Sequence, residues 1–155
     1  RLLDVRRAVG LRNPAHSLVK LMNPCEGPAL IVGSYTHPEY AVSMAQTFAL
    51  VGAHALLLRG TEGEPVADAR RTPQMDAFRD GERHLLQPAQ EGSLASLPEL
   101  PREVDADNTA AYIRDVLDGR KPVPTPIALQ VAHILQELQR QPHTETNRHP
   151  AVSPP

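Results

Sequence analysis

A chain of 155 residues with 41% hydrophobic content is long enough for one domain with a real core, and that core must be aliphatic, because aromatics make up only 3% and tryptophan is absent. The formal net charge of -2 excludes a uniformly basic surface, but the charge is uneven. Arg1, Arg6, Arg7, Arg12 and Lys20 face only Asp4 in residues 1–24, and the rest of the chain is acidic.

Arg1 stands inside a helix-like pattern of Leu2, Leu3, Val5 and Val9 that Gly10 stops. The sequence therefore reads as a fragment lacking its N-terminal part. A short helix is expected from Ala15 to Leu21, closed by Asn23-Pro24. Cys25 is alone, so no internal disulfide is available and a cytoplasmic setting is expected. No apolar run approaches the roughly 20 residues that span a bilayer, so membrane contact is not expected.

Leu30-Ile31-Val32 carries a buried-strand signal between Gly27-Pro28 and Gly33-Ser34. Pro38 suits the first turn of a helix, with Thr36 or His37 at its cap and Glu39 complementing the dipole. Met44, Phe48 and Val51 recur at helical spacing before Gly52. Ala53 to Leu58 is the second strand, parallel to the first because a helix-length crossover separates them. Residues 61–81 read as one long polar loop, 82–86 as a third strand and 87–104 as an extended connector. Asp107 is the expected cap of a helix with an apolar stripe of Ala110, Ile113, Val116 and Leu117. Pro124 to Gln141 forms the last helix, with Ile127, Val131, Ile134, Leu135 and Leu138 on one face. Residues 142–155 are expected to be disordered.

The pattern strand, helix, strand, Gly-rich loop between Ala29 and Asp68 is that of a βαβ unit, whose loop after the second strand lies where α/β proteins bind ligands. Two histidines, His16 and His37, fall near that edge, and Ser34-Tyr35-Thr36 offers donors to a phosphate at a helix start. No cysteine or carboxylate stands at zinc-ligand spacing from the histidines.

The run Val9 to Glu26, VGLRNPAHSLVKLMNPCE, with the βαβ unit next, resembles the anthranilate phosphoribosyltransferase family, glycosyltransferase family 3, whose pattern is roughly LGxRTxFNxLGPLxNPA. Gly10, Arg12, Leu18, Leu21, Asn23 and Pro24 match. The departures at Ala15-His16 and Val19-Lys20, with SYTHPEYAVSM and LLLRGTEGEPVAD, are more similar to the family's YbiB-type branch, described as nucleic-acid-binding. The resemblance implies an α/β fold with a mixed, largely parallel sheet, corresponding to the C-terminal half of such a protein. It divides the chain into a hinge segment 1–24, an α/β domain 25–141 and a tail 142–155. It also implies dimers in the full-length protein, through a helical domain. Apolar faces meant for the missing half are expected to be exposed.

In active transferases the matching loop, HGxDGxDE, ends in an Asp-Glu pair that ligates Mg²⁺ on the pyrophosphate. Aligned on Gly60 and Gly63, those positions are Pro65 and Val66, which have no ligating side chain. The resemblance therefore implies that transferase chemistry is lost, that no cofactor is needed and that nucleic acid, DNA or RNA, is bound non-specifically through a basic groove. The candidate phosphate contacts are Arg6, Arg7, Arg12 and Lys20, with Arg59, Arg70 and Arg71 flanking the Gly-rich loop. The alternative is an active pentosyltransferase in which Arg12 and Asn23 hold an aromatic or nucleobase-like acceptor and Glu62 or Glu64 assists Mg²⁺.

Overall fold

The structure, a computed structural model, describes residues 18–61, 64–94, 98–103 and 105–140. The expected N-terminal helix, His16, the contacts of Arg6, Arg7 and Arg12, the metal alternative at Glu62 and the expected disorder of the tail lie outside those residues.

A single 3-10 turn at Val19–Leu21 leads to β1 (Ile31–Tyr35), α1 (Pro38–Leu50) and β2 (Ala55–Arg59). A hairpin follows, β3 (Met75–Arg79) and β4 (Glu82–Gln87), and then α2 (Ala106–Leu117) and α3 (Thr125–Arg140). The strands form one sheet in the order β1-β2-β3-β4. β1 and β2 pair in parallel from Ile31–Ala55 to Tyr35–Arg59, with α1 as the crossover. The β2–β3 and β3–β4 pairs are antiparallel. The α/β class is the one expected, but the described sheet has one parallel pair where a largely parallel sheet was anticipated. The difference comes from residues 75–79, whose polar, loop-like composition nonetheless forms β3. Their partner β4 is reached through Asp80-Gly81, at φ 51 and 84. Positive φ at both central residues matches the right-handed twist of a two-residue hairpin.

Gly33 decides how closely α1 lies on the sheet. A Cβ there would sit 3.2 Å from Met44 Cε and from Phe48 Cζ, so the helix packs where a side chain would otherwise stand. Met44 and Phe48 are buried against Ala55, Leu57 and Phe78, and the Phe48 and Phe78 rings meet at 5.6 Å. On the opposite face Leu56, Leu58 and Met75 pack with Ala67 of the loop and Ile134 of α3. β2 is thus covered on both faces, which is why its sequence reads ALLL rather than alternating.

α3 buries only part of the stripe expected from its periodicity: Ile127 and Ile134 are half-buried, with Ile134 against the core. Val131, Leu135 and Leu138 are exposed, while Pro126, Gln130 and Glu137 are buried. Two polar side chains are buried because each finds partners, Gln130 on the loop after β2 and Glu137 beside the sheet. Glu137, wholly buried, lies 3.4 Å from His54 Nε2 and 3.5 Å from Arg79 Nε. In α2 the cap is Asp105 rather than Asp107, its Oδ1 accepting the Asn108 N–H at 2.8 Å. No helix among the described residues is long and apolar enough to cross a membrane.

Candidate functional site

Because β1 and β2 are parallel, Tyr35 and Arg59 end on the same edge of the sheet. β1 runs from there into α1 and β2 into the Gly-rich loop, leaving a crevice at the carboxyl ends of the strands. A cleft of about 610 Å³ occupies that edge. Tyr35, Thr36, Arg59, Gly60 and Thr61 form one wall, and Asp68, Arg71 to Gln74 and Gln90 the other.

The loop turns tightly away from β2. Gly60 N–H donates to the Tyr35 carbonyl at 2.9 Å, extending the strand pairing by one residue. A Cβ on Gly60 would lie 2.6 Å from the Glu64 carbonyl oxygen, so only glycine permits the chain to fold back here. Glu64 Oε1 accepts the Thr61 hydroxyl at 2.6 Å and the Thr61 N–H at 3.2 Å. The carboxylate offered as a metal ligand is thereby engaged in closing its own loop.

Beyond Glu64 the loop is fixed to α3. The Gln130 side chain, 4% exposed, accepts the Ala67 N–H at Oε1 and donates from Nε2 to the Pro65 carbonyl, both at 2.8 Å. Pro65 contributes only its carbonyl, and Val66 is 43% exposed. Neither side chain can hold a metal. Among the described residues no group of three or more His, Cys, Asp or Glu side chains could hold one.

The arginines separate into two kinds. Arg70 is clamped to Asp68, Nε to Oδ1 at 3.1 Å and Nη2 to Oδ2 at 3.3 Å, with its backbone N–H on Oδ1 at 2.9 Å. Burial raises the Asp68 carboxyl pKa, but the Arg70 hydrogen bonds and the charges of Arg70 and Arg71 outweigh it and hold it below the ordinary 3.8. Arg70 lines a neighbouring pocket of about 420 Å³ beside Tyr112 and Lys121, not the cleft. Arg71 does line the cleft; its Nη1 donates to the Gln90 carbonyl at 3.2 Å. Arg59 lines it as well, and neither arginine makes an ion pair with a carboxylate among the described residues. The cleft thus presents two guanidinium groups and one carboxylate, and that carboxylate is already matched by Arg70.

Lys20 and Asn23 are exposed and not part of this cleft. Asn23 Oδ1 accepts the Cys25 N–H at 2.9 Å, so its carbonyl end holds a local turn. His37 is the cap residue of α1, without a side-chain capping bond, and its ring meets the edge of Tyr40 at 6.0 Å. Sequence reasoning missed Gln130, Asp68 and the Glu137 cluster. Asp68 carried a signal, standing two residues before Arg70, whereas nothing in the pattern around Gln130 marks it.

No family model matches the chain. It is 40% identical over 132 residues to the uncharacterized protein YbiB of Escherichia coli (strain K12), an alignment covering 84% of this chain and 40% of that protein. It is 31% identical over 120 residues to anthranilate phosphoribosyltransferase of Sorangium cellulosum (strain So ce56), covering 76% of this chain and 34% of that protein. The chain therefore spans two-fifths or less of the length of these relatives. The similarities support a family-level link to anthranilate phosphoribosyltransferase.

Proposed function

We propose, taking that distant relationship to a phosphoribosyltransferase as the premise, that this chain is an α/β portion whose cleft no longer serves pentosyl transfer and instead binds the phosphates of nucleic acid. The observation that carries the reading is the pair Arg59 and Arg71, lining one cleft at the carboxyl edge with no carboxylate partner among the described residues. A guanidinium takes a phosphate as a planar fork, and an edge formed by strand ends and loops accepts an extended backbone. Pro65 and Val66, bearing no ligating group where the transferase pattern has its Asp-Glu pair, support the loss of the metal-dependent step. With two phenylalanines, three tyrosines and no tryptophan, the chain offers little base stacking, so binding would be of the backbone and insensitive to sequence.

The test is affinity of the full chain for a single-stranded oligonucleotide across a salt series. Affinity should fall steeply with salt, and Arg59→Glu and Arg71→Glu should each weaken it, lowering the salt slope by about 1. Arg70→Glu should weaken it indirectly, because it leaves the Asp68 carboxylate unmatched in the cleft. Absence of binding at low salt, or equal binding by the Arg59 and Arg71 variants, would overturn the reading. Release of pyrophosphate from a phosphoribosyl donor would instead restore pentosyl transfer as the activity.

A further inference from the structure

We infer that Gln130 is the positioning residue of the cleft, coupling the docking of α3 to the shape of the loop after β2. The coupling rests on geometry alone; its consequence for affinity rests on the phosphate-binding reading.

A primary amide is the side-chain group that donates and accepts from adjacent atoms while neutral. Gln130 uses both ends on one segment, taking the Ala67 N–H and giving to the Pro65 carbonyl at 2.8 Å each. These two backbone groups stand between the two parts of the loop that line the cleft, Gly60-Thr61 before them and Asp68 after. At 4% exposure, Gln130 has no water to replace the lost partners cheaply if either bond breaks.

α3 carries a second polar anchor two turns away. Glu137 meets His54 and Arg79 at the opposite end of β2, and Ile134 lies between the anchors against the sheet. The helix is therefore a strap fastened at both edges of the sheet, with one fastening inside the cleft loop. Anything that lifts α3 withdraws both hydrogen bonds from Pro65 and Ala67 together.

The experiment is Gln130→Glu in the full chain. An ionised carboxylate has no proton for the Pro65 carbonyl and repels its oxygen, which drives the side chain off the segment and loosens the Ala67 bond with it, whereas the protonated acid serves both. Burial raises the titration of such an acid into an accessible range. At neutral pH, Ala67 amide exchange, corrected for its intrinsic pH dependence, should be about tenfold faster than in the wild type. Affinity for a single-stranded oligonucleotide should fall with it. Both should return toward wild type as the pH is lowered, a step the wild type lacks. Gln130→Met, similar in volume and without the hydrogen bonds, should lose Ala67 protection at every pH. Unchanged Ala67 exchange in either variant overturns the inference, as does a Gln130→Glu defect with no acid recovery. If Gln130→Glu fails to fold, the Met variant decides alone. Absence of oligonucleotide binding by the wild type would overturn the reading of the cleft, and the exchange data would still decide the role of Gln130.

Discussion

At Gly60 an added methyl group would meet the Glu64 carbonyl at 2.6 Å, a contact with backbone that no rotamer change relieves. Gly60→Ala should therefore open the loop rather than strain it slightly, costing about 1–3 kcal/mol in denaturant unfolding. It should also remove the Thr61–Glu64 hydrogen bonds. A stability within a few tenths of a kcal/mol of wild type would mean that the turn is looser than its contacts imply. At this scale the sequence was partly legible. The glycine-rich stretch marked the turn, and the absence of side-chain ligands at Pro65 and Val66 follows from residue type alone. The division between Arg70 and Arg71 was not legible. Adjacent residues in an irregular loop can face different pockets, and only the Asp68 clamp shows which one is neutralised.

Among the elements, β1, α1 and β2 could be read from sequence because a continuous apolar run, a Pro start and helical spacing each have one physical interpretation. β3 was hidden by its composition. Met75, Asp76 and Arg79 look like loop, yet Asp76 is buried because Gln74 and Arg83 hold its carboxylate at 2.9 and 2.8 Å. The Asp80-Gly81 pair was the available signal. The extent of α3 was legible, but its buried face only in part for the same reason, since periodicity counts apolar residues and the stripe that Ile134 begins is completed by Gln130 and Glu137. The Glu137 cluster gives the element-scale prediction. Glu137→Ala removes the carboxylate facing His54 and Arg79 and should cost on the order of 3 kcal/mol in chemical denaturation. The low end of the range for a broken buried pair applies because those side chains retain 18% and 26% exposure and can rehydrate. A loss below about 0.5 kcal/mol, within the range of an exposed pair, would show that α3 is held by Ile134 and Gln130 alone.

Across the whole molecule the burial is concentrated in β2, β3 and the inner face of α1, and it fades toward α2. Ala55 to Leu58 are at most 2% exposed, whereas α2 buries none of its residues and leaves Ile113 and Leu117 at 50% and 79% exposure. A helix of 12 residues is marginal without packing, so α2 must rely on local terms. At its start Asp105 caps Asn108, and at its end Arg120 pairs with Asp115 and Asp118 at 2.9 and 2.7 Å. The amides of α2 should therefore exchange through local opening, while those of β2 exchange only with global unfolding. The difference should widen in acid. The Asn108 N–H holds the Asp105 carboxyl below its ordinary 3.8, so its contribution is fully present above that pH and is lost as pH falls through the lower folded value. Native-state exchange at two pH values checks both statements. If α2 and β2 amides shared one opening free energy, α2 would be bound into the same cooperative unit as the sheet, and its cap and terminal ion pairs could not be what sets its stability.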